Sequence, residues 1–514
     1  MLLPLIPFAL ATLGAVVWLA LLRRGQPTVA RRFGLGANVA LLLVVLVLPA
    51  STATVPAGRL YHGLSLAWDH ATRLEGAVLM LASLAHLANP REERRVVPET
   101  LLVAMVLLCL ATRDALAAAL AVGLLDIVIL WVEGSLPAGS RGPFAVFGVL
   151  GVLGALAALA LAAVLSLPAN ASAAPPYGAI LTAAFTLGLG GVLLGYPALR
   201  WPTMASLTVT AAHLLCTLGG GAALSPRVAT PLLVLGTLIV LFAGVSTALW
   251  GSRGRALDAL YGLAFGQALL AGVLYAGEGA GAATLALLGA VVAYAALVVL
   301  ERVEESGAYQ LPRIVAVASL AGLAPGGVAV ARWQDLAATL ALGDGWLAFW
   351  QVLGAALACA TAAVLLMPWL RQTTRSQPPN DWLAWGLGAA LSALGLVLGV
   401  VPGIAGSGLP LFGAPAQWVV VSLVLLLLPI IVGFVLALSP AALRANRRAN
   451  RWRESVRPVW QGAWEGAALA LDHAFGVAAE GLYRLFGLLE ERLIILWGLL
   501  WVVVMLLVAL ESGL

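Results

Sequence analysis

Apolar residues in this chain do not alternate with polar ones. They run on without interruption for about 17–25 positions at a time, the length a helix needs to cross a bilayer. The pattern predicts sixteen membrane-spanning helices, over residues 2–22, 33–50, 71–88, 96–112, 114–132, 142–166, 178–197, 203–220, 228–250, 257–277, 281–300, 312–331, 345–369, 382–403, 415–438 and 491–511. A transmembrane β-barrel would show short alternating segments instead. The fold class that follows is all-α, a polytopic helical membrane protein.

The arginines orient these spans. Cytoplasmic loops carry the excess of basic residues in membrane proteins. The loops after the odd-numbered spans hold nearly all of them, and the other side holds only Arg59, Arg73, Arg113, Arg227 and Arg332. Both termini are therefore expected on the non-cytoplasmic side of an inner (plasma) membrane. Residues 439–490 differ from the rest. They open with Arg444, Arg447, Arg448, Arg451, Arg453 and Arg457, then continue with apolar positions at helical spacing. This reads as a cytoplasmic basic and amphipathic arm lying on the membrane or on a partner. The span 491–511 would follow it as a final, tethered helix.

Composition sharpens the picture. Apolar residues make up 62% of the chain and charged residues 10%, against roughly 25% charged in soluble domains. A soluble enzyme, a disordered chain and a nucleic-acid binder are excluded. All 28 basic residues are arginine, and lysine is absent. Arginine keeps its proton at a pKa above about 12, so a mechanism that needs a titrating lysine is excluded too. Cys109, Cys216 and Cys359 are far apart, which suggests neither a disulfide framework nor a metal site. No P-loop is possible without lysine, and no His/Cys cluster has metal-ligand spacing. His62 and His70 fall in an outer loop.

Four stretches resemble the antiporter-like membrane subunits of respiratory complex I (NADH–quinone oxidoreductase), multisubunit cation/proton antiporters and membrane-bound hydrogenases. The first is SLAGLAPGGVAVARW, residues 319–333, which keeps Leu320, Gly322, Leu323, Pro325 and Trp333 of a family segment. The others are RALDALYGLAFGQ (255–267), with Arg255, Leu257 and Gly266 in frame, GYPALRWP (195–202) and ATRDALAAALAVGLLDIVIL (111–130). The resemblance covers roughly residues 1–440. It implies about fourteen core helices arranged as two inverted five-helix repeats, plus extra C-terminal helices. The corresponding divisions are N-terminal helices over 1–110, repeats over 96–220 and 228–369, C-terminal core helices over 370–438, the arm over 439–490 and the last helix over 491–514. Each repeat would hold a helix broken at membrane depth, which is tolerated only where it lines a cavity or is buried in protein. Pro197 and Pro202 mark one candidate break, and Gly322 and Pro325 the other.

The resemblance also implies a file of ionisable residues that carries protons. This chain departs from it. The family's helix-5 glutamate falls on Gly123, a helix-7 lysine on Leu193, and a histidine and lysine of helix 11 on Ala290 and Tyr294, while a further basic position becomes Arg332. What remains is a candidate path of Asp126, His213 and Arg332. Asp126 follows Gly123 by one turn and can replace the lost carboxylate or serve as a structural acid. His213 lies within a span, as a proton relay or a satisfied interior histidine. Asp258 reads as an interfacial ion-pair partner, and Glu75 and Arg73 as inexpensive end-of-helix charges. Glu301, Arg302, Glu304 and Glu305 form a cytoplasmic charge cluster. The second repeat offers little beyond Gln267 and is expected to be dry.

Three functions are compatible with these residues. The first is a structural membrane-arm subunit of a complex I-related assembly with its channel lysines lost. It would bind no cofactor itself, leave any redox cofactors to partner subunits, and associate with membrane subunits and lipids but not nucleic acid. The second is an active ion-translocating subunit using Asp126, His213 and water. The third is a stand-alone secondary transporter for a small solute. None places a catalytic centre in this chain.

Overall fold

The computed structural model describes residues 3–55, 64–87, 96–134, 145–165, 177–195, 201–218, 232–234, 236–240, 253–274, 278–301, 303, 307–323, 326–341, 343, 345–371, 378–400, 421, 424–425, 427 and 431. The described chain is helical almost throughout. Helices α1 (Ile6–Arg23) and α2 (Pro27–Val47) are followed by a hairpin of β1 (Ser51–Val55) and β2 (Leu64–Trp68). Then come α3 (His70–Leu87), α4 (Val96–Leu110), α5 (Ala115–Gly134), α6 (Ala145–Leu165), α7 (Tyr177–Gly195) and α8 (Trp201–Leu218). The remainder comprises α9 (Arg253–Leu274), α10 (Glu278–Leu300), α11 (Leu311–Leu320), α12 (Gly327–Ala341), α13 (Gly345–Arg371) and α14 (Trp382–Val400).

Local chemistry sets the helix starts. Pro7 and Pro27 occupy first-turn positions in α1 and α2, where their missing N–H is not needed. Three aspartates act as N-caps, each accepting from the amide three residues on. Asp69 takes Thr72 N–H at 2.9 Å, Asp114 takes Ala117 N–H at 2.7 Å, and Asp381 takes Ala384 N–H at 3.0 Å. Each satisfies a donor that has no intrahelical partner.

Helices α3, α8 and α10 form the centre. Helix α10 packs against α3, α8, α9, α11, α12 and α14, and nearly all of its Ala283–Leu300 stretch is buried. An all-apolar helix buried on every side belongs at the core of a bundle. Helices α1 and α2 lie outside, exposing Leu10, Leu13, Val16, Val39, Leu43 and Leu46. Among the described residues, Leu3–Arg23, Thr28–Val47 and Ala283–Leu300 are long and apolar enough to cross a membrane by length and composition. Shorter apolar stretches include Thr203–Leu215 and Leu260–Leu270. Crossings are close where glycine permits. The Cα of Gly327 lies so near Gly289 that a Cβ added at Gly289 would sit 3.2 Å from it, which joins α10 to α12 backbone against backbone.

The structure departs from the sequence pattern in two places. Residues read as a plain loop form the hairpin, with Ser51 opposite Trp68 and Val55 opposite Leu64. Trp68 is fully buried, so the hairpin is packed into the bundle. The span read as 312–331 is two helices. Helix α11 stops at Leu320, Gly322 takes φ +67°, and α12 starts at Gly327 and continues to Ala341. Helix α11 has ten residues, about 15 Å, or half the hydrocarbon thickness. Of the residues expected to mark the other break, Pro197 lies outside the described residues and Pro202 sits in the first turn of α8. Pro325, the arm 439–490 and the final span 491–511 also lie outside them.

Candidate functional site

Among the described residues, one buried polar cluster joins residues that are remote in sequence. Glu75 is on α3 and 1% exposed, and His213 is on α8 and fully buried. His213 Nδ1 lies 2.7 Å from Glu75 Oε2, and the two residues are 138 positions apart. The other Glu75 oxygen, Oε1, is buried with no hydrogen-bond partner among the described residues. The ring's second nitrogen, Nε2, lies 3.2 Å from the Thr112 carbonyl and 3.3 Å from Arg113 Nη1.

Arg113 connects this pair to the edge of the bundle. Its Nη2 donates to Asp69 Oδ2 at 2.7 Å and to the Thr72 hydroxyl. Its Nη1 donates to the Thr112 carbonyl at 2.9 Å and reaches the Leu110 carbonyl at 3.3 Å. The Asp69 side chain is 49% exposed and that of Arg113 15%. A polar line thus runs from half-exposed Asp69, through Arg113, to the buried His213–Glu75 pair. Burial works against the Asp69 charge, but the Thr72 amide and hydroxyl and the Arg113 guanidinium outweigh it and hold the carboxyl below its ordinary range.

The hairpin fixes Arg113 in place. The turn between α4 and α5 is bonded to β2 on both sides, with Ala67 N–H donating to the Ala111 carbonyl at 2.8 Å and Arg113 N–H to the Ser65 carbonyl at 2.9 Å. Ser65 N–H also donates to the carboxylate of Asp114. Asp114 therefore binds the hairpin with one oxygen and caps α5 with the other.

A second polar group lies in the later half of the chain. Arg332 on α12 is 3% exposed. Its Nη1 donates to the Ala321 carbonyl at 2.9 Å, and its Nη2 donates to Gln267 Oε1 on α9 at 3.0 Å. A Cβ added at Gly322 would lie 2.8 Å from the Arg332 guanidinium carbon. The break in the helix and the seat of the arginine are one construction. Nearby, the Tyr261 hydroxyl donates to Thr208 Oγ1 at 2.7 Å, and its ring packs edge-on to Tyr294 at 5.5 Å.

These positions revise several expectations. Glu75 is no end-of-helix charge, because α3 starts five residues earlier and packs it against α8. Arg332 is no outer-loop residue, because α12 carries the chain on past it and buries it. In the later half, Gln267 is the hydrogen-bond partner of Arg332. Asp126 lies in α5, about 18 Å along the helix from Asp114, and is 4% exposed. Neither of its carboxyl oxygens has a hydrogen-bond partner among the described residues. Of the candidate path, His213 sits in the Asp69–Arg113–Glu75 cluster, while Arg332 sits with Gln267. Sequence reasoning discounted Glu75 as an end-of-helix charge, counted Arg113 only among the outer-side arginines, and passed over Asp69. The available signal was the price of an acid in the apolar run LEGAVLML, which by default marks a functional site.

Comparison with solved structures identifies the architecture. Over 93% of its length this chain is similar to a chain of the Mrp complex from Dietzia sp. DQ12-45-1b, at 17% sequence identity and a TM-score of 0.60. It spans 63% of that longer chain. Over 94% of its length it is similar to a chain of the membrane-bound sulfane sulfur reductase, an archaeal respiratory membrane complex, at 15% identity and a TM-score of 0.57, covering 98% of that chain. A chain of respiratory complex I from Thermus thermophilus matches 82% of this one at 21% identity and a TM-score of 0.56, with 99% of that chain covered. The fold is shared with chains of the Mrp complex, the sulfane sulfur reductase and respiratory complex I. No family model matches the sequence. No curated protein matches it.

Proposed function

We propose that this chain is a membrane-arm subunit of a multisubunit, complex I-related assembly, and that its role there is structural. The observation that carries the reading is the match over nearly the whole chain to chains of two different membrane assemblies. The absence of lysine supports the structural role, since every buried basic group other than histidine is an arginine that keeps its proton. The two inverted repeats, the plasma-membrane location and the non-cytoplasmic termini belong to this proposal. So do lipid contacts and redox cofactors held by partner subunits. Purification of the tagged native protein in gentle detergent, with mass spectrometry of what accompanies it, tests the reading. Stoichiometric recovery of other antiporter-like subunits supports it. A lone chain or a homodimer overturns it in favour of a stand-alone transporter.

A second reading, active ion translocation, is favoured by Asp126. A buried carboxyl without a bonding partner is costly and, at membrane depth, is the kind of group that ion paths use. Under this reading Asp126→Asn abolishes transport in the assembled complex while assembly survives. Unchanged transport in that variant leaves the structural role standing.

A further inference from the structure

We propose that the α1–α2 helical hairpin is a binding site for an anionic phospholipid. Arg23, Arg24 and Arg32 hold the headgroup phosphate, and two apolar stripes that run from them carry the acyl chains. The site deepens the lipid contacts proposed above. It rests on α1 and α2 crossing the bilayer and on no choice of assembly.

The charge is concentrated and one-sided. The segment RRGQPTVARR, residues 23–32, holds four arginines, and the first acidic residue of the chain is Asp69. Residues 1–22 and 33–58 have no charged side chain. Arg23, Arg24 and Arg32 are exposed, and among the described residues none of them makes an ion pair. The backbone does not need them either. Gly25, at φ +71°, turns the chain so that Arg24 N–H donates to the Ala20 carbonyl at 3.1 Å, Gly25 N–H to Leu22 at 3.0 Å and Gln26 N–H to Leu21 at 3.2 Å. The turn thus satisfies these carbonyls at the end of α1 by itself.

Both helices continue from the arginines as apolar stripes. On α1 the exposed positions Leu10, Leu13, Val16 and Ala20 recur every three or four residues and lead to Arg23 and Arg24. On α2 the exposed positions Arg32, Gly36, Val39, Leu43 and Leu46 recur in the same way. This spacing keeps each set on one side of its helix. The opposite sides are occupied. Helix α1 packs on α4 and α2 on α3. Trp18 is 2% exposed and covers Gly34, where an added Cβ would overlap its ring. Asn38 Oδ1 accepts from the Ser83 hydroxyl of α3 at 3.2 Å. The stripes therefore look away from the bundle.

The dimensions fit a lipid. Helices α1 and α2 have 18 and 21 residues, about 27 and 31 Å, against a hydrocarbon thickness of about 30 Å. The arginine end of the hairpin therefore meets one surface of the bilayer. Arg32 lies five residues into α2, about 8 Å, a depth from which an arginine reaches the headgroups along its own stem. Guanidinium forks match phosphate oxygens, and clustered arginines at a membrane surface favour anionic over zwitterionic lipid.

The test places the full chain in phosphatidylcholine nanodiscs doped with a photoreactive lipid, either phosphatidylglycerol or phosphatidylcholine, with the reactive group midway along an acyl chain. Peptide mass spectrometry locates the labels after irradiation. The phosphatidylglycerol probe should label Val16, Ala20, Gly36 and Val39 about tenfold or more above the phosphatidylcholine probe. The triple variant Arg23→Gln, Arg24→Gln, Arg32→Gln should bring the two probes level, and unchanged labelling by phosphatidylcholine reports that its hairpin is folded. The corresponding triple lysine variant, which keeps the charge, should retain the preference. Equal labelling of the wild type by the two probes overturns the proposal. Absence of labelling by either probe also overturns it and assigns the stripes to a protein neighbour. A preference that survives in the glutamine variant, or is lost in the lysine variant, overturns it as well. None of these outcomes bears on the assembly, which co-purification tests separately.

Discussion

The Arg313 guanidinium, near the start of α11, reaches back to the carbonyls of Leu300 and Val303, the latter at 3.0 Å. It closes the C-terminus of α10 where backbone acceptors have no helical partner, and it places a positive charge at the negative end of the helix dipole. The Leu300 carbonyl also accepts Val303 N–H at 3.1 Å, so Arg313→Met should destabilise the protein by about 1–3 kcal/mol, the cost of losing two bonds from a charged donor. Reversible unfolding in mixed detergent measures this.

The Glu75–His213 pair predicts an asymmetry between two substitutions. Glu75→Ala leaves the ring without its partner and opens a void, and should cost about 3–5 kcal/mol, an unsatisfied buried donor and a cavity together. Glu75→Gln keeps an acceptor carbonyl for Nδ1 and should cost about 1–2 kcal/mol, close to a single hydrogen bond. Equal losses in the two variants would show that the negative charge, which both lack, carries the effect and the bond to Nδ1 does not.

Gly322 predicts a backbone effect. With φ +67° and a would-be Cβ 2.8 Å from the Arg332 guanidinium, Gly322→Ala meets both strain and a clash. The expected loss is about 2–4 kcal/mol, combining a left-handed residue with an overfilled site. Gly25, also at positive φ but with nothing within 4 Å of an added Cβ, is the control, and Gly25→Ala should cost about 1–2 kcal/mol.

Asp69 predicts a pH dependence. Its carboxyl is held below its ordinary 3.8 in the folded chain, so its charge stabilises the native state above that pH. The contribution disappears as pH falls through the folded-state value. The melting temperature of Asp69→Asn should lie below that of the wild type near neutrality, and the gap should close on acidification below about pH 4. A gap that is constant with pH would assign the loss to altered hydrogen bonding with Arg113 and Thr72 and not to the charge.

Asp126 predicts the reverse of an ordinary core change. Replacing an unbonded buried carboxyl with a hydrocarbon of similar size removes a desolvation penalty. Asp126→Leu should stabilise the isolated chain by about 1–3 kcal/mol. A loss of stability would mean that the carboxyl is held by bonds the described residues do not supply.

Most helices were legible in the sequence because an apolar run of membrane length has few other uses. The observed α5, Ala115–Gly134, lies within a few residues of its predicted span, and α10 starts three residues before its own. What escaped has physical reasons. The hairpin strands, STATV and LSLAW, are too short and mixed to give a period-2 signal above their surroundings, and they are held by the packing of Trp68 and by bonds to the α4–α5 turn. Helix α12 was truncated because Arg332 looks like a boundary when its partners, Ala321 and Gln267, are unseen. The His213 cluster needs four residues from three places along the chain, and no local pattern announces a contact across 138 positions. His213 and Asp126 stood out because polar groups are rare in such runs. Glu75 was equally rare and was discounted for its position near a helix start.

Arg332 has a consequence for what can pass through the later half of the bundle. Its guanidinium never releases its proton at physiological pH, and it is clamped between α9 and the break after α11. It is therefore a permanent positive potential. A second unit cation brought within about 4 Å of it meets a repulsion of roughly 4 kcal/mol at an effective dielectric constant near 20, close to a thousandfold reduction in occupancy. Where a lysine could release its proton, this arginine keeps its charge.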